Sequence, residues 1–248
     1  MAEIEVAPNR PWYYHFWRNW LNLPPWWPFL RARSYGTYRL PSRGGLILAS
    51  NHVSYLDPLI TAIACRRRLR FFARSSLFKT PVFRWQIASL GAIPMDRDSS
   101  DVSAIRDTVE YLRNGEALLM YPEGARSADG ELQDLQPGVA AMAIMADSPI
   151  FPCYVHGTFE SWGRDKKYKP FRLHRVIVDE PLRPSDIPDN VPARERKTYL
   201  TQQLADRLKA LETDARRRWP LRRYDSIPDL TQDTPCQQKG NSHDLQPL

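Results

Sequence analysis

A histidine and an aspartate five residues apart, His52 and Asp57, stand in the segment Asn51-His52-Val53-Ser54-Tyr55-Leu56-Asp57. If the chain turns between them, the carboxylate accepts a hydrogen bond from one imidazole nitrogen and leaves the other as a base. Asp57 would then fix the tautomer and stabilise the imidazolium that forms. This is the base–orienter half of a hydrolytic triad, without the serine nucleophile. The alternative is that Asp57 is only a helix N-cap. Spacing alone does not decide, because a second pair, His174 and Asp179, has the same separation. That pair lies in LHRVIVDE, which reads as a strand. An odd separation in a strand puts two side chains on opposite faces, here roughly 16 Å apart along the axis, so His174/Asp179 is a decoy.

Three further segments carry chemistry. Arg74, Lys79 and Arg97 bracket an apolar helix and a short strand within residues 73–97. Arginine suits bidentate binding of phosphate, although most arginines are simply solvated. Tyr121 is followed by Pro122-Glu123-Gly124-Ala125-Arg126-Ser127, a tight polar turn in which Gly124 permits close backbone approach or positive φ. Glu123 and Arg126 leave the same turn. One is expected to position a hydroxyl or buttress the other, while Arg126 binds a phosphate. The last segment, Ser148 to Gly157, is apolar with Pro152 inside it. It is expected to be an edge or bulged strand, lining an acyl groove or serving as plain core. His156 at its end reads as a structural histidine. Arg66-Arg67-Arg68 reads as a solvated helix end near a membrane.

These residues need a scaffold that gathers turns at one edge. Apolar runs at Leu46–Ala49, Leu69–Ala73, Ala92–Pro94, Ala117–Tyr121, Ile150–Val155 and Val176–Val178 read as buried strands. Helical patterns fall between them at Pro58–Cys65, Leu77–Leu90, Val102–Asn114 and Gly138–Ala146. A charged helix over residues 194–218 follows. The alternation predicts an α/β fold with a largely parallel central sheet flanked by helices. His52 then sits at a strand's carboxyl end, just before a helix opened by Pro58, the edge where open α/β sheets place ligands. Arg97 and the Glu123–Arg126 turn belong at the same edge.

The 248 residues divide into an arm over 1–34, the α/β domain over 35–220 and a polar tail over 221–248 expected to be disordered. Nine of the 20 residues in PWYYHFWRNWLNLPPWWPFL (11–30) are aromatic, and five of the chain's eight tryptophans fall there. Such rings favour the membrane–water interface, and three prolines break any long helix. The segment is expected to form short interfacial helices; an arm packed on the core, or a dimer contact, is the alternative. No run approaches a membrane span, and Met1–Arg10 does not read as a secretory signal. The net charge of +7 calls for an anionic partner. No nucleic-acid recognition motif is present. Cys65, Cys153 and Cys236 have no metal-ligand or disulfide spacing, so no metal is expected and a reducing compartment fits best.

Taken in order, the four segments resemble the motifs of the glycerolipid acyltransferase superfamily, specifically the 1-acylglycerol-3-phosphate O-acyltransferases. Asn51–Asp57 is similar to the first motif and Gly91–Arg97 to the second. Tyr121–Ser127 is similar to the third and Ile150–Cys153 to the fourth. The resemblance spans about residues 35–180. It implies His52 as base and Asp57 as its partner. It also implies that Arg74, Arg97 and Arg126, with the turn at Glu123 and Gly124, hold the acceptor's phosphate. The implied co-substrate is an acyl-CoA or acyl-carrier-protein thioester, with no further cofactor. The implied acceptor is a lysophospholipid, and lysophosphatidate is the default. The chain would sit as a peripheral or monotopic protein on the cytoplasmic face of a membrane. Two positions depart from the pattern: Ala125 replaces a small hydroxyl residue, and Arg74 replaces a frequent lysine. Another lyso-lipid acceptor, an acyl thioesterase and a non-catalytic membrane-binding protein are the alternatives.

Overall fold

The computed structural model describes residues 31–79, 91–95 and 102–221, together with Phe16 and Arg84. The expected interfacial arm over residues 11–30, the loop carrying Arg97, most of the expected helix Leu77–Leu90 and the expected disordered tail lie outside the described residues.

Seven strands form one sheet: β1 (Ala32–Tyr35), β2 (Leu46–Ser50), β3 (Leu69–Arg74), β4 (Ala92–Met95), β5 (Ala117–Met120), β6 (Ile150–His156) and β7 (His174–Val178). Their order is β1-β7-β6-β2-β5-β3-β4. Strands β4, β3, β5, β2 and β6 run parallel; β7 is antiparallel to β6, and β1 is parallel to β7. The largely parallel α/β sheet expected from the strand–helix alternation is therefore present. β1 begins at Ala32, so the sheet starts inside the segment assigned to the arm.

The central strands β2 and β5, LILAS and ALLM, are buried at every position and almost wholly apolar because both faces are covered. Leu46 and Leu48 of β2 face one side and Ile47 and Ala49 the other, all fully buried. On the first side they meet Ile60 and Ile63 of helix α1 (Asp57–Ala64). On the second they meet α2 (Val102–Arg113), α3 (Gly138–Ala146) and α5 (Arg196–Arg218). α5 presents Leu200, Leu204 and Leu208, spaced four apart, as its buried stripe. A short helix α4 (Thr158–Trp162) follows β6 directly.

Two expectations change and one alternative is decided. β6 is not an edge strand, since β2 and β7 flank it. Pro152 is accommodated because the β7 ladder ends at the Cys153–Val178 pair and resumes only as an isolated bridge, Ile150–Leu182. The missing N–H falls in that gap, while the Pro152 carbonyl accepts from the Asp179 N–H at 2.9 Å. Ile150, Phe151 and Cys153 are buried in the two cores, the plain-core alternative of the sequence reading. Finally, Arg67 is not a solvated helix end: its guanidinium donates to the carbonyls of Pro41 and Gly115 and so ties down loops at the amino edge of the sheet.

Candidate active site

The carboxyl end of β2 runs into a turn that folds His52 back onto Asp57. The Nδ1 of His52 lies 3.0 Å from Asp57 Oδ2. The same oxygen accepts from the backbone N–H groups of Val53 and Ser54, both at 2.7 Å. Asp57 Oδ1 accepts from the Thr158 hydroxyl at 2.6 Å. The carboxylate is wholly buried, and these donors replace the water it has lost. Two backbone N–H groups can only donate, so Oδ2 is an acceptor and the bridging proton belongs to His52 Nδ1. That leaves Nε2 with its lone pair free, the tautomer a general base requires. Asp57 is thus the first residue of α1 and also the clamp of the turn before it, not a plain N-cap.

The β5 turn fixes the histidine from the other side. Tyr121 stacks on the imidazole, with ring centroids 3.9 Å apart and planes 17° from parallel. Glu123 does not pair with Arg126, as the sequence suggested. Its Oε1 accepts from the His52 backbone N–H at 2.6 Å and its Oε2 from the Gln133 N–H at 2.9 Å. The Ser127 N–H in turn donates to the His52 carbonyl at 2.8 Å. His52 is therefore held at its N–H, its C=O, its ring face and its Nδ1. Burial pushes the Glu123 carboxyl up to about 7, against the lowering effect of its two backbone donors. Gly124 adopts φ 72°, which closes the Tyr121–Gly124 turn. Arg126 lies over the Tyr55 ring, 3.5 Å from its centroid. Its Nη1 is buried and has no hydrogen-bond partner among the described residues.

Arg74 ends β3, in register with Met95 of β4, which places it at the same carboxyl edge as His52 and the Glu123 turn. Arg97 lies outside the described residues. The decoy pair separates as the strand reading requires. His174 is buried, with Nδ1 donating to the Arg31 carbonyl and Nε2 2.8 Å from the Ser161 hydroxyl. Burial lowers its pKa to about 4, while Asp179 pairs with Arg207. His156 is structural too, donating from Nε2 to the Trp219 carbonyl.

Sequence reasoning missed Thr158 and the part played by Asn51. The Asn51 amide exchanges two hydrogen bonds with the Val155 backbone, at 2.7 and 3.1 Å, and so prolongs the β2–β6 pairing one residue past the strand. Gly157, at φ 90°, then turns Thr158 toward Asp57. The signal was a Gly-Thr pair directly after an apolar run ending at the carboxyl edge that carries His52.

The bonds made by Glu123 yield a prediction. A glutamine there would set an amide NH2 against a backbone N–H and leave that donor unpaired, so Glu123→Gln should cost about 1–3 kcal/mol of stability. Because the carboxyl is raised from 4.5 to about 7 in the folded protein, the native state holds this proton more tightly than the unfolded chain. Its stabilising contribution is full below pH 4.5 and declines as pH rises through about 7. Denaturant unfolding of both proteins across that interval should show the gap between them narrowing with pH. A gap that widens would contradict this account.

Known proteins resemble this chain in sequence and in fold. The pattern of the Acyltransferase family matches residues 31–156, half of the chain. A 1-acyl-sn-glycerol-3-phosphate acyltransferase of Bacillus subtilis is 26% identical over 73% of this chain and 88% of its own length. Its chloroplastic counterpart from Brassica napus is 29% identical over 53% of this chain but only 39% of its own length. One from Streptococcus pneumoniae is 32% identical over 49% of this chain and 46% of its length. The chain thus spans less than half of the Brassica and Streptococcus relatives. The crystal structure of PlsC, a 1-acyl-sn-glycerophosphate acyltransferase from Thermotoga maritima, shares the fold. Its TM-score is 0.64 at 23% identity, over 82% of this chain and 79% of that one. With more than half of its residues inside the matched pattern, and with that pattern enclosing the His52–Asp57 and Glu123–Arg126 turns, this chain belongs to the Acyltransferase family.

Proposed function

We propose that this chain transfers a fatty acyl group from an acyl thioester to the free hydroxyl of 1-acyl-sn-glycerol-3-phosphate, giving phosphatidate. The observation that carries the reading is the His52–Asp57 pair, in which the other donors to Asp57 place the proton of the neutral ring on Nδ1 and so leave Nε2 as the base. The acceptor hydroxyl loses its proton to Nε2 as its oxygen bonds to the thioester carbonyl carbon. The tetrahedral intermediate then breaks its C–S bond, and the departing thiolate takes the proton from the imidazolium. No acyl-enzyme forms, no cofactor is consumed, and the donor is acyl-CoA or acyl-carrier protein.

The acceptor's phosphate is assigned to Arg126 with the Gly124 turn, to Arg74 at the end of β3, and to Arg97, two residues past β4 in sequence. The buried, unpartnered Nη1 of Arg126 supports this assignment. A buried guanidinium nitrogen without an acceptor is unfavourable, and a phosphate oxygen would satisfy it. Several curated relatives, from bacteria to plants, are named for the same acceptor. Among the described residues no helix is long and apolar enough to cross a membrane. The proposal places the enzyme on the membrane surface, on the cytoplasmic side where acyl thioesters are made.

Incubating purified protein with labelled acyl thioester and a panel of lyso-lipids, then weighing the product, tests the whole reading. Thiol release without any acceptor would mark a thioesterase instead. His52→Ala should fold normally and lose about 10²–10⁴-fold in rate, the usual worth of a general base; an undiminished rate would remove His52 from the mechanism. Arg126→Ala should raise the KM for lysophosphatidate while leaving the KM for the thioester unchanged. An unchanged acceptor KM would take Arg126 out of the phosphate site.

A further inference from the structure

The exposed loop after α4 reads Trp162-Gly163-Arg164-Asp165-Lys166-Lys167-Tyr168-Lys169-Pro170-Phe171-Arg172, with five cations against one acid. Its aromatic side chains stand in solvent: Trp162 is 38%, Tyr168 40% and Phe171 61% exposed. Phe171 is held outward on a left-handed backbone, φ 66°, a conformation bulky residues rarely adopt. Trp162 and Tyr168 pack ring to ring at 5.6 Å, and Trp162 packs on Tyr55, itself half exposed, at 5.1 Å. Tyr55 carries the Arg126 guanidinium on its ring.

We propose that this loop, distinct in sequence from the aromatic segment 11–30, is a docking surface for the anionic headgroups of a lipid bilayer. The proposal rests on the reading of the acceptor as a membrane lipid. Rings with one wet edge beside lysines match the interface between headgroups and acyl chains, where aromatics anchor and basic side chains reach phosphates. A cluster of exposed aromatics is otherwise unfavourable in water. The loop is also fixed to the catalytic turn. The Trp162 carbonyl accepts from the Ser54 hydroxyl at 2.7 Å and from the Tyr55 N–H at 3.3 Å, and Ser54 and Gly163 form a bridge. Docking here would set the His52 turn against the bilayer, so an acceptor need not leave it completely to react. Asp165 lies beside Arg164, and Glu131, across a cleft of about 820 Å³ that Lys166, Lys167, Lys169 and Arg172 line, is engaged by Arg216. Asp129 and Glu160 also line that cleft.

The test uses the full chain. An environment-sensitive fluorophore is placed at Phe171→Cys in a Cys236→Ser background, and in a second protein at Lys197→Cys. Lys197 lies at the start of α5, a helix whose far end carries Trp219 against His156 at the catalytic edge. Phosphatidylcholine vesicles with phosphatidylglycerol should blue-shift the label at 171 and leave that at 197 unchanged. No shift at 171, or an equal shift at 197, would overturn the proposal. In sedimentation with the same vesicles, Lys166→Glu/Lys167→Glu should lose at least about tenfold of the affinity that phosphatidylglycerol adds. With a soluble short-chain lysophosphatidate and no vesicles, this variant should match the wild type. A raised KM for an acyl-carrier-protein thioester under those conditions would show that the loop receives the carrier instead. If the wild type shifts its label on vesicles yet acylates no lyso-lipid, the acceptor reading fails and the docking surface stands.

Discussion

The site depends on one buried carboxylate. Asp57 has no contact with solvent, and an ionised carboxyl in that position is tolerated only if its lone pairs are taken by donors. Four donors meet it: the imidazole of His52, the N–H groups of Val53 and Ser54, and the hydroxyl of Thr158. They come from two separate strand ends, β2 and β6. The requirement to satisfy one charge therefore closes the His52 turn, sets the histidine tautomer and binds the end of β6 to the end of β2. The Asn51 amide repeats that second link with two further bonds to Val155.

Glu123 solves a different problem at the same place. It comes from the end of β5, on the other flank of β2, and grips the backbone rather than the side chain of His52. His52 is thereby held by two carboxylates that bind different atoms of the same residue. One orients the ring through Nδ1 and the other fixes the strand end from which the ring projects. Preorganisation of this kind removes the motional freedom that a base would otherwise lose on binding its substrate. Arg126 is left free of Glu123 as a consequence, packed on Tyr55 with an unpaired nitrogen. A pairing of Glu123 with Arg126 would have neutralised the cation and loosened the histidine together.

The sheet and the His52 turn were legible because strand–helix alternation and a proline after the aspartate are local signals. So was the rejection of His174, since strand parity alone separates it from Asp179. What escaped was long-range. Pro152 suggested an edge strand, but the sheet keeps it inside by interrupting the β7 ladder there. Thr158 lies 101 residues from Asp57, and only the parallel register of β2 and β6 brings them together. Glu123 was expected to face Arg126 because the two are neighbours in sequence; its true partners are backbone groups, which no sequence displays. Arg67 was given to solvent because a run of three arginines resembles a surface, whereas carbonyls from two other loops claim it.

The central claim is that the arrangement around Asp57 holds the proton of the neutral His52 ring on Nδ1 and leaves Nε2 to accept the acceptor's proton. Nitrogen NMR of the neutral His52 ring in the folded protein reports this directly. The account predicts a proton on Nδ1, shifted far downfield by its bond to Asp57, and a bare Nε2. A His52 ring carrying its proton on Nε2 under those conditions would contradict it.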